Sequence, residues 1–306
     1  MIINSFNFKN IKKKYLSFIK AQEILSEPFR DKINQLNKFY LPISKKINNL
    51  YLINKKTKII GLTGGQGSGK STISKILKII LKERFGLNTT IFSIDDFYKT
   101  SQERKIISKK ISRLFLTRGV PGTHDTKLLY ETLINLKKIK FKKVSIPVFD
   151  KSEDDRAPKT KWQKITKKPD IVIFEGWCVG ARPQKNKDLI LPVNSLEKDV
   201  DKKKIWRKTV NKELKTNYKK IFDLVDAYIF LKVPNFKYVY KWRLLQEKKL
   251  RLFSKGKKIM GKDQIKNFIM YYERLTKHML KNFSQHSDII IKIDKTHRLK
   301  SVRFFI

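Results

Sequence analysis

Gly64-Gly65-Gln66-Gly67-Ser68-Gly69-Lys70-Ser71 has the spacing G-x-x-x-x-G-K-[ST], the pattern of a loop that holds the phosphates of a nucleotide. Each residue type has a physical task there. The glycines let backbone N–H groups converge on a β-phosphate without side-chain clash, and a helix opening behind them adds its positive end. Lys70 then reaches the β/γ oxygens and the Ser71 hydroxyl becomes a Mg²⁺ ligand, so the residues facing ATP run from Gly64 to Thr72. A chance Gly-rich turn could match the spacing alone. The flanks fit too: an apolar strand ends at Leu62, and a segment with no internal Gly or Pro runs from Lys70 to Phe85 before Gly86 ends it.

Three further groups could complete phosphoryl transfer. Ser93-Ile94-Asp95-Asp96-Phe97-Tyr98 places two carboxylates at the C-terminal end of a strand, where open α/β sheets bind ligands. Asp95 could take a proton from, or orient, an attacking hydroxyl; equally, Asp95 and Asp96 could cap the next helix or bind Mg²⁺ through water. Phe174-Glu175-Gly176-Trp177 is an apolar run closing on one acid, so Glu175 would hold the Mg²⁺ water shell opposite Ser71. Arg243 and Arg251, with Lys248 and Lys249, fall in one helical segment, a lid expected around residues 241–258 that could close over the phosphates. In so basic a chain they could also be a solvated face. Arg243 stands out because Lys is the default cation.

The elements that must position these groups follow from periodicity. Lys58–Thr63, Thr89–Ile94, Val144–Val148, Asp170–Phe174, Asp226–Val233 and Asp288–Ile293 read as strands. Lys70–Phe85, Lys127–Lys138, Lys203–Phe222, Phe236–Phe253 and Lys262–Asn282 read as helices between them. Strands buried on both faces and alternating with helices predict an α/β P-loop fold with a parallel sheet flanked by helices. Residues 1–57 read as a helical N-terminal appendage, with breaks at Pro28 and Pro42, and 58–306 as the P-loop domain. Thr100–Pro121 and Val179–Asp201 read as long functional loops.

Composition narrows the class. The 306 residues carry 71 Lys+Arg against 27 Asp+Glu, a net +44, which suggests nucleic acid. Yet the cations are 58 Lys and only 13 Arg, spread from end to end, whereas phosphate and base-edge grips favour Arg forks. A nucleic-acid-stimulated NTPase therefore ranks below a small-molecule kinase, and no nucleic-acid partner is expected. The 40% hydrophobic content excludes a disordered basic tail. Cys178 is the single cysteine, so no intramolecular disulfide and no Cys-based structural zinc site can form, in keeping with a cytoplasmic location. Lys interrupts every apolar stretch, leaving no run of the roughly 18 to 20 residues that a membrane helix needs.

The motifs together, with Thr117-Arg118-Gly119-Val120-Pro121-Gly122-Thr123-His124-Asp125 and Pro147-Val148-Phe149-Asp150-Lys151-Ser152 before Asp155-Arg156, resemble the plant and cyanobacterial D-glycerate 3-kinases and their fungal and bacterial P-loop relatives. That group is related to uridine kinase, phosphoribulokinase and bacterial pantothenate kinase, and the resemblance covers about residues 58 to 297. It implies ATP-dependent phosphorylation of the 3-hydroxyl of D-glycerate to 3-phosphoglycerate, a photorespiratory salvage step, with Asp95 as the catalytic carboxylate. Between Ser152 and Asp155 the chain lacks the Gly-rich insert of the plant enzymes and resembles the bacterial branch, so uridine, pantothenate or sugar-phosphate acceptors stay open.

A small carboxylate acceptor needs cationic or N–H donors at its carboxylate and an acid near its hydroxyl. Arg118, His124 and Arg156 can supply the first and Asp95 the second; Tyr98, Asp125 and Asp150 complete the expected acceptor set. Asp125 or Thr123 could instead cap a helix, and Asp150 with Arg156 could be a structural ion pair. Catalysis would fall to Asp95, Lys70 and Arg243.

Overall fold

The computed structural model describes residues 5–23, 29–253 and 260–305. In chain order the elements begin with α1 (Ser5–Gln22), α2 (Lys32–Gln35), α3 (Leu41–Leu52), β1 (Lys58–Gly64), α4 (Lys70–Phe85) and β2 (Thr89–Ser93). Next come α5 (Ser101–Lys110), α6 (Thr126–Lys137), β3 (Val144–Ile146), β4 (Phe149–Asp150), β5 (Asp155–Arg156), β6 (Gln163–Ile165) and β7 (Ile171–Gly176). The chain finishes with α7 (Ile205–Glu213), α8 (Lys219–Phe222), β8 (Ala227–Lys232), α9 (Phe236–Phe253), α10 (Lys262–Asn282), β9 (Ile289–Ile293) and β10 (Leu299–Phe304). Among the described residues no helix is long and apolar enough to cross a membrane.

Six strands form the central sheet in the order β10-β9-β8-β1-β7-β2, parallel except for the edge strand β10. Successive residues of each inner strand feed opposite layers. On one face Ile60, Leu62, Ile171, Ile173, Ile229 and Leu231 pack with α1, α3, α4 and α9; on the other Ile59, Val172, Phe174 and Phe230 pack with α6, α8 and α10. Full burial of each such side chain stabilises by about 1.5–3 kcal/mol, which is why the run Lys58–Gly64 is buried throughout.

The N-terminal helices pack into the first of these layers. Ile11, Tyr15, Ile19, Phe39, Ile43 and Ile47 are buried in the same apolar cluster as Ile60 and Ile229. Asn10 and Lys14 of α1 both bond the Glu83 carboxylate on α4, at 2.7 and 2.8 Å. Pro42 does not break the path: a π-helical turn, Leu36–Tyr40, leads into α3, where Pro42 occupies the first turn and needs no N–H partner. Pro28 lies outside the described residues.

Two expectations are corrected. Val144–Val148 does not join the parallel sheet; Val144–Ile146 forms a two-stranded antiparallel ribbon with β6. Its alternation of buried Val144 and Ile146 with exposed Ser145 suits a ribbon with one wet face. The stretch Thr100–Pro121 is not all loop, because α5 opens there on a capping box in which the Thr100 hydroxyl and Glu103 carboxylate each accept the other's backbone N–H. Val179–Asp201 holds no strand or α-helix, only a 3-10 turn at Asn186–Leu189 and a π-helical turn at Leu196–Val200, and is pinned by two buried arginines. Arg207 pairs with Asp201 at 2.9 Å, and Arg274 with Glu197 at 2.6 Å.

Candidate active site

Sheet register sets the site. Glu175, next to last in β7, lies between Leu62 of β1 and Ser93 of β2. The loop after β1, the acid ending β7 and the Asp pair after β2 therefore meet at one edge of the sheet, the C-terminal edge of its parallel strands.

The phosphate loop has the backbone the sequence demands. Gly67 and Gly69 take φ of 73° and 89°, in the left-handed region. A Cβ on Gly67 would also meet Trp242 of α9 at 2.9 Å. Lys70 turns its ammonium back onto the carbonyls of Gly64 and Gly65, at 2.9 and 3.1 Å, and burial pulls its pKa down. The Ser71 hydroxyl donates to Glu175 Oε1 at 2.7 Å. Burial pushes the Glu175 carboxyl up, against the pull of Lys70 and Ser71. Glu175 Oε2, Ser68 Oγ and Gln66 Oε1 are buried with no hydrogen-bond partner. Such orphans are costly unless a ligand, ion or water completes them.

Those atoms fit Mg²⁺ with a nucleotide. Among the described residues no three His, Cys, Asp or Glu side chains gather into a metal cage. Mg²⁺ does not need one, since it typically takes one or two protein oxygens and fills its octahedron with phosphate oxygens and water.

Asp95 and Asp96 separate into two roles. Asp96 Oδ2 accepts the Ser93 N–H and caps the short 3-10 turn Ile94–Phe97; burial raises it to about 6. Asp95 faces cations. Burial pushes its carboxyl up, but Lys151 at 3.4 Å, the Tyr98 hydroxyl at 3.0 Å and Lys70 outweigh this and hold it below the usual carboxylate value. Lys70, Glu175, Asp95 and Lys151 lie near enough to shift one another's charge.

Tyr98 stacks on His124 at 4.5 Å, and the two residues form an isolated antiparallel backbone bridge. His124 is wholly buried, which drives its pKa down to about 3, so it serves as a neutral imidazole and not as a cation. Its Nδ1 lies 2.6 Å from the Tyr218 hydroxyl, which already accepts the Gly122 N–H at 3.1 Å. The phenol O–H therefore donates to the Nδ1 lone pair, leaving Nε2–H as a buried donor with no protein partner.

The arginines expected to meet an acceptor are each engaged. Arg118 pairs with Asp154 and lies over the Phe149 ring at 5.3 Å, while the buried Arg104 holds the other oxygen of Asp154 at 3.0 Å. Arg156 donates to Asp125 Oδ2 at 3.2 Å and to the Tyr98 carbonyl at 3.0 Å; its buried Nε has no partner. Asp125 also caps α6 through Leu128 N–H at 3.0 Å. The Asp150–Arg156 pair is not made: Asp150 Oδ1 closes its own turn on Ser152 and Glu153, and Arg156 goes to Asp125 instead.

Arg243 is joined to Glu247 one turn along α9 at 2.5 Å and is largely buried. The segment expected to form a lid falls on α9 as far as Phe253; residues 254–258 and the side chains of Lys249 and Arg251 lie outside the described residues. Cys178 is buried and its thiol is pushed up, so it is inert. Sequence reasoning missed Tyr218, Arg104 and Asp154. Lys151 was within a noted motif, and only its place beside Asp95 was unread.

The chain resembles several known proteins. Residues 59–210 match the model of the Phosphoribulokinase / Uridine kinase family. An uncharacterized kinase of Schizosaccharomyces pombe is 34% identical over 222 residues, covering 70% of this chain and 78% of that protein. The chloroplastic D-glycerate 3-kinase of Arabidopsis thaliana is 32% identical over 222 residues, 70% of this chain but 46% of that protein's length. The D-glycerate 3-kinase structure from Cryptococcus neoformans superposes with a TM-score of 0.73 at 22% identity, covering 87% of this chain and 99% of that one, a likeness of fold. A phosphate loop in the geometry above, on a sheet of this order and with a kinase relative 34% identical over 78% of its length, makes the chain a P-loop kinase that belongs to the phosphoribulokinase/uridine kinase family.

Proposed function

We propose that this kinase uses ATP with Mg²⁺ to phosphorylate a hydroxyl of a small carboxylate, the 3-hydroxyl of D-glycerate. The observation that carries the reading is Asp95, an acid kept ionised beside Lys151 and next to the phosphate loop. An acceptor hydroxyl between Asp95 and the γ-phosphorus gives its proton to Asp95 as its oxygen forms the new P–O bond. The bond from the γ-phosphorus to the β,γ-bridging oxygen breaks, and the charge left on ADP falls to Lys70. Bound Mg²⁺ would neutralise charge on the β- and γ-oxygens, held by Ser71 directly and by Glu175 through water.

Lys151, the neutral Nε2–H of His124 and the remaining N–H groups of Arg118 and Arg156 favour a carboxylate on the acceptor. The 32% identity to a D-glycerate 3-kinase supports the same choice. An ADP-release assay across D-glycerate, uridine, pantothenate and sugar phosphates tests it. Turnover is expected with D-glycerate; turnover on uridine or pantothenate and none on D-glycerate would assign the acceptor elsewhere.

A further inference from the structure

A cavity of about 640 Å³ opens beside the phosphate loop, within the roughly 300–1,000 Å³ usual for small-molecule sites. Gly67–Ile73 form its floor. Trp242 of α9, stacked on His297 at 4.2 Å and 18°, forms one wall. The facing wall comes from the N-terminal segment, through Phe29, Arg30 and Gln35. That segment precedes residue 59, where the family match begins.

The two walls are tied together. Gln35 Nε2 donates to the Leu299 carbonyl at 3.3 Å, and Arg298 lies 3.9 Å from Asp31. Glu175 and Asp95 do not line this cavity. A nucleotide whose β- and γ-phosphates sit on Gly64–Ser71 points its γ-phosphoryl toward those acids. Its ribose and base must then leave on the Gly67–Thr72 side, into this cavity.

We propose that the N-terminal segment is the base-side wall of the nucleotide site, with Arg30, Gln35 and Phe29 contacting the nucleoside half of ATP. The proposal rests on the kinase reading of the phosphate loop but not on the identity of the acceptor. Arg30 is exposed, so its loss leaves the core intact, and a planar guanidinium suits the face or edge of a purine. Gln35 adds an amide that can donate and accept.

Calorimetric titration of Arg30→Ala and of Arg30→Ala/Gln35→Ala with ADP, and separately with tripolyphosphate, tests it. In the double variant ADP binding weakens roughly tenfold or more, the scale of one lost charge-assisted hydrogen bond. Tripolyphosphate affinity and the melting temperature of Arg30→Ala stay at wild-type values. Unchanged ADP affinity overturns the proposal, as does an equal loss for ADP and tripolyphosphate, which would place the effect on the phosphates or on the fold. A wild-type chain that binds neither compound overturns the kinase reading and this one together. Normal ADP binding that ignores both substitutions overturns this one alone.

Discussion

The Ser71 hydroxyl donates to Glu175 Oε1 at 2.7 Å, joining the first turn of α4 to the end of β7 across 104 residues of sequence. The second oxygen of Glu175 is buried and unpartnered. The pair fits a divalent ion better than it fits a structural clasp, because a clasp leaves no reason to bury a bare carboxylate oxygen. Glu175→Gln keeps the Ser71 bond and removes the charge. We expect ADP binding to survive while kcat falls about 10- to 100-fold and the Mg²⁺ needed for half-maximal rate rises. Steady-state rates across a Mg²⁺ titration check this, and an unshifted titration curve would remove Glu175 from metal binding.

Asp95 owes its low pKa in part to Lys151, the nearest cation. Asp95→Asn should lower kcat by about 10²- to 10⁴-fold with ADP affinity unchanged, as expected for loss of a general base. Lys151→Ala leaves the base in place but takes away the charge that keeps it ionised. The acidic limb of its kcat/KM profile should move to higher pH than in the wild type. Superimposable acidic limbs would show that Lys151 does not tune Asp95.

Where the chain signals its own ends, the fold was legible. Gly69 and Gly86 both adopt left-handed φ at the two caps of α4, and α4 and α10 have the limits that periodicity implies. The capping box Thr100-x-x-Glu103 marks α5, but only Arg104 of that helix is buried, so hydrophobic spacing gave no sign of it. Chemistry on the phosphate side was readable because loop, hydroxyl and acid follow fixed local patterns. Acceptor-side partnerships were not, since His124 meets Tyr218 across 94 residues and Arg118 meets Asp154 across 36, with no local rule linking them. Residue type suggested that His124 could be cationic; only its burial shows it neutral.

Gly119 adopts φ of 144°, and a Cβ there would lie 2.2 Å from the Tyr272 hydroxyl. That hydroxyl donates to the Arg118 carbonyl at 3.2 Å, and the Tyr272 ring stands edge-on to Trp177, whose indole N–H donates to the Gly119 carbonyl at 3.1 Å. No member of this group can retreat without losing a bond. Gly119→Ala should therefore destabilise by about 2 kcal/mol or more, combining backbone strain with overpacking. Urea denaturation reads the change, and a midpoint equal to the wild type would contradict the packing described.

Asp96 and His124 place opposite slopes on stability in one pH window. Burial raises Asp96 from 3.8 to about 6, so the fold holds a proton that the unfolded chain releases, and stability from this group falls as pH rises from about 4 to 6. Burial lowers His124 from 6.5 to about 3, so the unfolded chain binds the extra proton, and stability from this group falls as pH drops through the same range. In the wild type the two nearly cancel. Asn at 96 can still accept the Ser93 N–H but cannot titrate, which uncovers the His124 slope. Between pH 6 and pH 4 Asp96→Asn should lose stability relative to the wild type by about 1.4 kcal/mol per pH unit, and at pH 7 it should be the more stable protein. Urea midpoints of both proteins at pH 4, 5, 6 and 7 decide the matter, and midpoints that run parallel across the series would mean that Asp96 is ionised in the fold as readily as in the unfolded chain.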